Sequence, residues 1–465
     1  MSGGGLGAQG ASDERSERSP QAEGLEGVEA PRLVTELPGP RAREILERDA
    51  RTTSPSLPRA YPFAPARGAG SVVEDVDGNV FLDANAGIAV ASTGHAHPRV
   101  VEAIQRQAAE LIHYSASDFY LPIYSELAER LDAIAPMSDP ARSFLTNSGT
   151  EAVEASLKLA RHATGRQYVI AFYGSFHGRT FGSVSLTASK AKYRAGFGPL
   201  LPGVLHAYYG DGRDMPVPPT GQEDGFPTID HIEGFLFERI VAPDEVAAIV
   251  VEPVLGEGGY IVPPDGWLRA LRELCDRHGI LLVADEVQSG MGRTGKMWAI
   301  EHAGVEPDIL VAGKGIASGM PLGAMIATDR VMTWSKGVHG STYGGNPLSC
   351  AAAIATLDVI RDEGLLENAA KIGELLMNGL RDVQSRHDAI REVRGLGLMI
   401  GVELPDHATT AAVERDGFER GLLLLGCGES AIRLSPPLVF REDQARVALE
   451  LFEEVVAGTA PGAGG

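Results

Sequence analysis

Three charged residues stand where apolar runs end. Glu252 follows Val246–Val251, Asp285 follows Ile280-Leu-Leu-Val-Ala, and Lys314 comes just after Ile309–Ala312. In an open parallel sheet the working groups collect at the carboxyl ends of strands. Two carboxylates and an amine are therefore expected along one sheet edge. Lys314 lies in Asp308-Ile-Leu-Val-Ala-Gly-Lys-Gly-Ile-Ala-Ser-Gly, among apolar residues and glycines. Desolvation there lowers a lysine's pKa and frees the amine for Schiff-base chemistry. A lysine that snorkels to solvent or pairs with a carboxylate would leave the same local signature. Only seven of the 41 basic residues are lysines, so one inside an apolar stretch needs a reason.

A carboxylate set like Asp285 is costly unless a cation meets it. The protonated ring nitrogen of pyridoxal phosphate is such a cation, and an aspartate beside it keeps the ring an electron sink. A helix N-cap is the other use for an aspartate at this point. Thr146-Asn-Ser-Gly-Thr-Glu-Ala-Val opens a helical run with Val153, Leu157 and Ala160 on one face. Ser148, Gly149 and Thr150 would form a phosphate cradle through backbone N–H groups and the helix dipole. The same residues also fit a plain capping motif.

These groups need a rigid frame, and the pattern supplies one. Tyr168–Phe172, Val246–Val251, 280–284 and Ile309–Ala312 are apolar almost throughout, as strands buried on both faces are. Between two of them Trp267, Leu268, Leu271, Leu274 and Cys275 fall at helical spacing and Gly279 marks the stop. This makes a βαβ unit, so the fold class is α/β with a mostly parallel sheet and helices on both faces, plus a smaller α/β domain. Helices are expected over 348–361, 366–386, near 409–420 and over 443–457, with a glycine-interrupted strand over 393–404. The domain reading is a disordered tail at 1–30, a segment at 31–80 packing with the small domain, a large domain at 81–345, a small domain at 346–457 and a tail at 458–465.

Composition narrows the function. With 62 acidic against 41 basic residues, the net charge of -21 has the wrong sign for a nucleic-acid surface. Three scattered cysteines form neither a disulfide framework nor a zinc motif, and no metal site is expected. The start carries no basic segment followed by an apolar one, so no signal peptide is read there and a cytoplasmic location is expected. The stretch 309–328 holds one charge, but its glycines and Pro321 make it a strand plus loop rather than a membrane span.

With these residues in view, the chain resembles the class III, or ω-amino-acid, aminotransferases, fold type I enzymes that use pyridoxal phosphate. The resemblance runs from about Pro31 to Val456. It is strongest in Leu281-Leu-Val-Ala-Asp-Glu-Val-Gln-Ser-Gly-Met-Gly-Arg-Thr-Gly, with Lys314 placed 29 residues after Asp285. It implies that Lys314 carries the cofactor as a Schiff base, that Asp285 pairs with the pyridine nitrogen and that Gln288 lies near the ring hydroxyl. Glu252, Phe176 and His177 would also contact the cofactor, Phe176 by stacking on the ring. Thr342, in Gly340-Ser-Thr-Tyr-Gly-Gly-Asn-Pro, would reach the phosphate of a neighbouring subunit, which makes a homodimer the minimum unit.

For the substrate, the resemblance implies that Arg179 and Arg433 bind carboxylates and that Glu257, in Glu252-Pro-Val-Leu-Gly-Glu, covers Arg433 when an ω-amine binds. Ile88, in Asp83-Ala-Asn-Ala-Gly-Ile, resembles the 4-aminobutyrate branch. The opening Pro31-Arg-Leu-Val-Thr-Glu-Leu-Pro resembles archaeal ornithine aminotransferases and amino-acid racemases, and Leu255 replaces a glutamine common in 4-aminobutyrate enzymes. The expected reaction is transfer of an amino group from an ω-amino acid, 4-aminobutyrate first, to 2-oxoglutarate. The alternatives are an ornithine or acetylornithine aminotransferase, or a racemase of the same fold.

Overall fold

The computed structural model describes residues 25, 27–210, 212, 215 and 226–458. Three sheets organise them. The first holds β1 (Pro65–Ala69), β2 (Val72–Asp75) and β3 (Val80–Asp83), each antiparallel to the next. The second takes β4 (Ala141–Thr146), β5 (Tyr168–Phe172), β6 (Val204–Ala207), β7 (Val246–Val251), β8 (Leu281–Asp285), β9 (Ile309–Ala312) and β10 (Gly323–Thr328). Their order is β4-β10-β9-β8-β7-β5-β6. Neighbours are parallel from β6 to β9, and β10 runs antiparallel to both its neighbours.

The two-residue period of a strand explains how the second sheet is covered. Val169 and Ala171 of β5 pack in one apolar cluster with Val153, Leu157 and Ala160 of the helix Gly149–Thr164. Ile170 and Phe172, pointing the other way, pack in a second cluster with Trp267, Leu271 and Leu274 of the helix Trp267–His278. Gly279 ends that helix at φ 61°, where a side chain would be strained. Every residue of β7, β8, β9 and β10 is buried, so the sheet is a rigid platform.

The third sheet holds β11 (Glu392–Leu396), β12 (Met399–Glu403), β14 (Leu425–Cys427) and β15 (Ala431–Leu434), in the order β11-β12-β15-β14. The short strand β13 (Leu422–Leu423) instead adds in parallel to β3, joining the amino-terminal sheet to the carboxyl-terminal part of the chain. Helices Pro347–Asp362, Leu365–Arg386, His407–Glu419 and Glu442–Gly458 lie where helical periodicity places them, within two residues at each end.

Three expectations need correction. The stretch 309–328 is strand, turn and second strand, because β10 turns back along β9 with Ala324 opposite Ala312. The single strand over 393–404 is the hairpin β11–β12, turned at Gly397 with φ 52°, where a Cβ would collide with the backbone of Thr294. The expected tails fall outside the described residues except for 25, 27–30 and 458. Near the end of the first, Leu25 is 2% exposed and clusters with Val72 and Val80, so order begins before residue 31.

Candidate active site

Lys314 sits in the turn that leaves β9, with the left-handed backbone angle φ 45°. Such a conformation costs a non-glycine residue roughly 1–3 kcal/mol and persists where the surroundings over-determine it. Here the neighbours do so. A Cβ on Gly313 would stand 3.2 Å from Cα of Gly149, and one on Gly315 would collide with Oγ of Ser92. The turn is therefore wedged against the start of the helix Gly149–Thr164. Burial pushes the Lys314 amine below its ordinary value, while the charges of Asp285 and Glu252 pull the other way.

Asp285 ends β8 and is 4% exposed. Its Oδ1 accepts from the Val287 N–H at 3.1 Å, and its Oδ2 lies 2.7 Å from Nδ1 of His177. Burial alone would strip His177 of its proton, but the bond to Asp285 and its charge lift the imidazole above its usual pKa. His177 Nε2 is buried with no hydrogen-bond partner among the described residues. Glu252, ending β7, accepts from the N–H groups of Phe176 (2.8 Å) and Gly256 (2.9 Å). Its carboxyl is pushed up to about 7, by burial first and by Asp285 in addition, with His177 opposing.

At the helix start, Ser148 Oγ accepts from Glu151 N–H, the capping use of this serine. Gly149 and Thr150 form the first turn, where N–H groups have no intrahelical acceptor. The Thr150 hydroxyl is engaged by Ser183 (2.5 Å) and Thr180 (2.9 Å), so only its backbone faces the cradle role. A Cβ on Gly149 would stand 2.7 Å from Cγ1 of Val287. Gln288 accepts at Oε1 from the Tyr260 hydroxyl at 2.9 Å. Thr342 is exposed, in a loop tied to Asn147 through Ser341 Oγ at 3.3 Å.

A second cluster borders the first. Arg433 on β15 is 3% exposed and its Nη1 contacts Oε2 of Glu257 at 3.1 Å. The other oxygen, Oε1, accepts from the Tyr193 hydroxyl at 3.0 Å and lies 3.3 Å from Nζ of Lys190. The Arg179 guanidinium lies over the rings of Tyr193, at 5.1 Å, and Phe176, at 5.7 Å. Ile88 is 42% exposed at φ 69°, in a turn joined to β15 by the Ser435 N–H to Ala84 carbonyl bond at 2.8 Å.

Residues 56–456 match the family model described as aminotransferase class III. The chain belongs to the class III aminotransferases. It is 39% identical over 452 residues to an alanine/serine racemase of Pyrococcus horikoshii, covering 94% of each chain. It is 40% identical over 444 residues to a 4-aminobutyrate aminotransferase of Mycobacterium bovis, covering 92% of this chain and 98% of that one. An ornithine aminotransferase structure from Toxoplasma gondii superposes with TM-score 0.80 at 30% identity, covering 92% of this chain and 96% of that one.

As a class III aminotransferase the chain uses pyridoxal phosphate, and its residues fit that group. Lys314 is an amine of lowered pKa, the first turn at Gly149 has backbone N–H groups with no intrahelical acceptor, and His177 Nε2 is buried without a partner among the described residues, beside Asp285. Lys314, Asp285, Gly149 and Gln288 would hold it. Three polar partners had no singled-out place in the sequence reading: Lys190, Tyr193 and Tyr260. Lys190 is one of the seven lysines, which was the available signal for it.

Proposed function

We propose that this class III aminotransferase moves the amino group of an ω-amino acid, 4-aminobutyrate first, to 2-oxoglutarate, giving the semialdehyde and glutamate. The observation that carries this reading is the Arg433–Glu257 pair at 3.1 Å. A buried guanidinium alone is costly, so Glu257 neutralises Arg433 while an amine without an α-carboxylate is bound. A substrate α-carboxylate replaces Glu257 on the Arg433 fork, which suits it bidentately. Arg179, held over two aromatic faces, takes the distal carboxylate.

The electron sink for the reaction is the cofactor ring. With the cofactor bound, Lys314 would anchor it, and its Nζ would serve as the group that takes and gives back the proton of the substrate carbon bearing nitrogen. Asp285, oriented by the 2.7 Å contact of its Oδ2 with His177 Nδ1, would pair with the ring nitrogen and keep it protonated. A racemase is the second reading, supported by the 39% identity to an alanine/serine racemase. There a second group, on the face opposite Lys314, would give a proton to the same carbon.

The working unit is proposed as a homodimer. Around Thr342 lie Tyr343, 63% exposed, and the loop of Ile112, Phe119 and Tyr120, the last 97% exposed, bound to the Thr342 loop by Ser117 and Ser341. This apolar face suits a second copy. A cytoplasmic location is supported by three buried free cysteines, and among the described residues no helix is long and apolar enough to cross a membrane.

The test is a panel of amines and keto acids on purified protein. 4-Aminobutyrate with 2-oxoglutarate should lead. Ornithine or acetylornithine in first place would move the donor, and α-proton exchange without any keto acid would replace the reading with racemisation.

A further inference from the structure

Glu257 is held at both oxygens, and by different parts of the chain. Oε2 faces Arg433 on β15, while Oε1 faces Lys190 and Tyr193 from the short turn Ala191–Tyr193 and the residue before it. The Glu257 backbone cannot follow the side chain, because its carbonyl accepts from the Gly428 N–H at 2.8 Å. The next residues are gripped as well, since both Nε and Nη2 of Arg394 donate to the Gly259 carbonyl at 3.0 and 2.7 Å. Only the carboxylate is free to swing. Burial alone would raise its pKa, yet Arg433 and then Lys190 hold it below the ordinary glutamate value.

Losing Arg433 to a substrate carboxylate would leave Glu257 a partly buried anion, which is expensive without a second cation. We infer that Lys190 and Tyr193 form the waiting station for Glu257, the pair of donors that keeps its carboxylate when a substrate α-carboxylate occupies Arg433. Lys190 supplies the charge and Tyr193 a hydroxyl proton, which remains in place because burial first, and Glu257 next, push the phenol up to about 12. Tyr193 also carries Arg179 on its ring at 5.1 Å. One side chain thereby borders both arginine sites. Lys190 and Tyr193 are positioning residues: Lys190 acts on substrate through Glu257, and Tyr193 through Glu257 by its hydroxyl and through Arg179 by its ring.

The inference rests on the reading of Arg433 and Glu257 given under Proposed function, and the experiment separates the two. Holoenzyme carrying Lys190→Met, Lys190→Arg, Tyr193→Phe or Arg433→Ala is followed in single-turnover half-reactions with 4-aminobutyrate and with 2-oxoglutarate. Lys190→Met should raise the apparent KM for 2-oxoglutarate about five- to tenfold, with its limiting rate and the 4-aminobutyrate half-reaction within about twofold of wild type. Lys190→Arg should restore the value, and Tyr193→Phe should give a smaller rise. Equal KM changes in both half-reactions, a change confined to the limiting rate, or no change at all for Lys190→Met overturns the station. If Arg433→Ala itself shows no selective loss with 2-oxoglutarate, the switch reading beneath it fails instead.

Discussion

The two ends of the seven-stranded sheet hold buried carboxylates in opposite ways. At the amino end of β9, Asp308 is 2% exposed and is met by Arg272 at 2.8 Å, by Arg330, and by the Leu282 N–H at 2.7 Å. Guanidinium groups do not give up protons in proteins, so the charge pattern at that edge is constant. At the carboxyl end, Asp285 and Glu252 are met by His177 and Lys314, whose protons can move. Both edges are buried and polar, and both have the same sheet beneath them. The identity of the cation decides which edge only fastens the fold and which can do acid–base work.

The largest expected break in this contrast is at Lys314. Lys314→Ala should lower turnover by about ten-thousand-fold or more, since on the proposed reading it removes both the covalent anchor and the proton carrier. The protein should still bind pyridoxal phosphate noncovalently through the Gly149 turn and Asp285. The check is the mass of the protein after borohydride reduction and denaturation: cofactor retained covalently by the variant would mean another lysine is the anchor. Next is Asp285→Asn, which keeps shape and removes charge. A loss of roughly a thousandfold in turnover corresponds to about 4 kcal/mol of transition-state stabilisation. Near-normal kcat would show that the ring nitrogen answers to another group.

At the opposite edge the same kind of substitution should act on folding. Asp308→Ala leaves Arg272 to Asp276, at 2.8 Å, and leaves the Leu282 N–H without its acceptor, a loss expected at about 1–3 kcal/mol for a buried donor left unsatisfied. Chemical-denaturation midpoints should fall, while kcat of the folded fraction stays within about twofold of wild type. A Asp308→Ala protein with normal stability and impaired kcat would erase the distinction between the edges.

How far this contrast was legible beforehand depended on the range of each interaction. Glu252, Asp285 and Lys314 stand out because each interrupts a run buried on both faces, so one residue type per strand carries the signal. The parallel core strands and the helix Trp267–His278 follow from the same local patterns. β10 was hidden because its apolar residues follow a loop of Gly319, Pro321 and Gly323, and only pairing with β4 and β9 declares it a strand. The β11–β12 turn depends on Gly397 passing against Thr294, about which local periodicity says nothing. Lys190 and Tyr193 meet Glu257 across 67 and 64 positions of sequence, so no spacing rule connects them. The roles proposed for Arg179, Glu257 and Arg433 rest on family resemblance rather than on pattern.

The smallest effect expected is a pH slope, and it separates two buried glutamates that differ in surroundings. Glu252 and Glu286 are both pushed up to about 7, chiefly by burial, from an ordinary value of 4.5. A carboxyl with a raised folded-state pKa binds its proton more tightly when folded. Its contribution to stability is therefore whole below 4.5, is lost as the pH rises to about 7, and changes no further above that. Glu286 is enclosed by Ser289, at 2.5 Å, and the Ile300 N–H, at 2.8 Å, with no substrate-facing partner in that set. Glu252 instead braces Phe176 and Gly256 beside the His177–Asp285 pair. Glu252→Gln and Glu286→Gln should each flatten part of the fall in thermal midpoint between pH 4.5 and 7. Only Glu252→Gln should also shift the acid limb of the kcat/KM profile, because only its charge is felt by His177 and Lys314. A kcat/KM shift of equal size in Glu286→Gln would show that the edge is coupled beyond the groups in contact, and that neutral-pH titration is no mark of the working carboxylate.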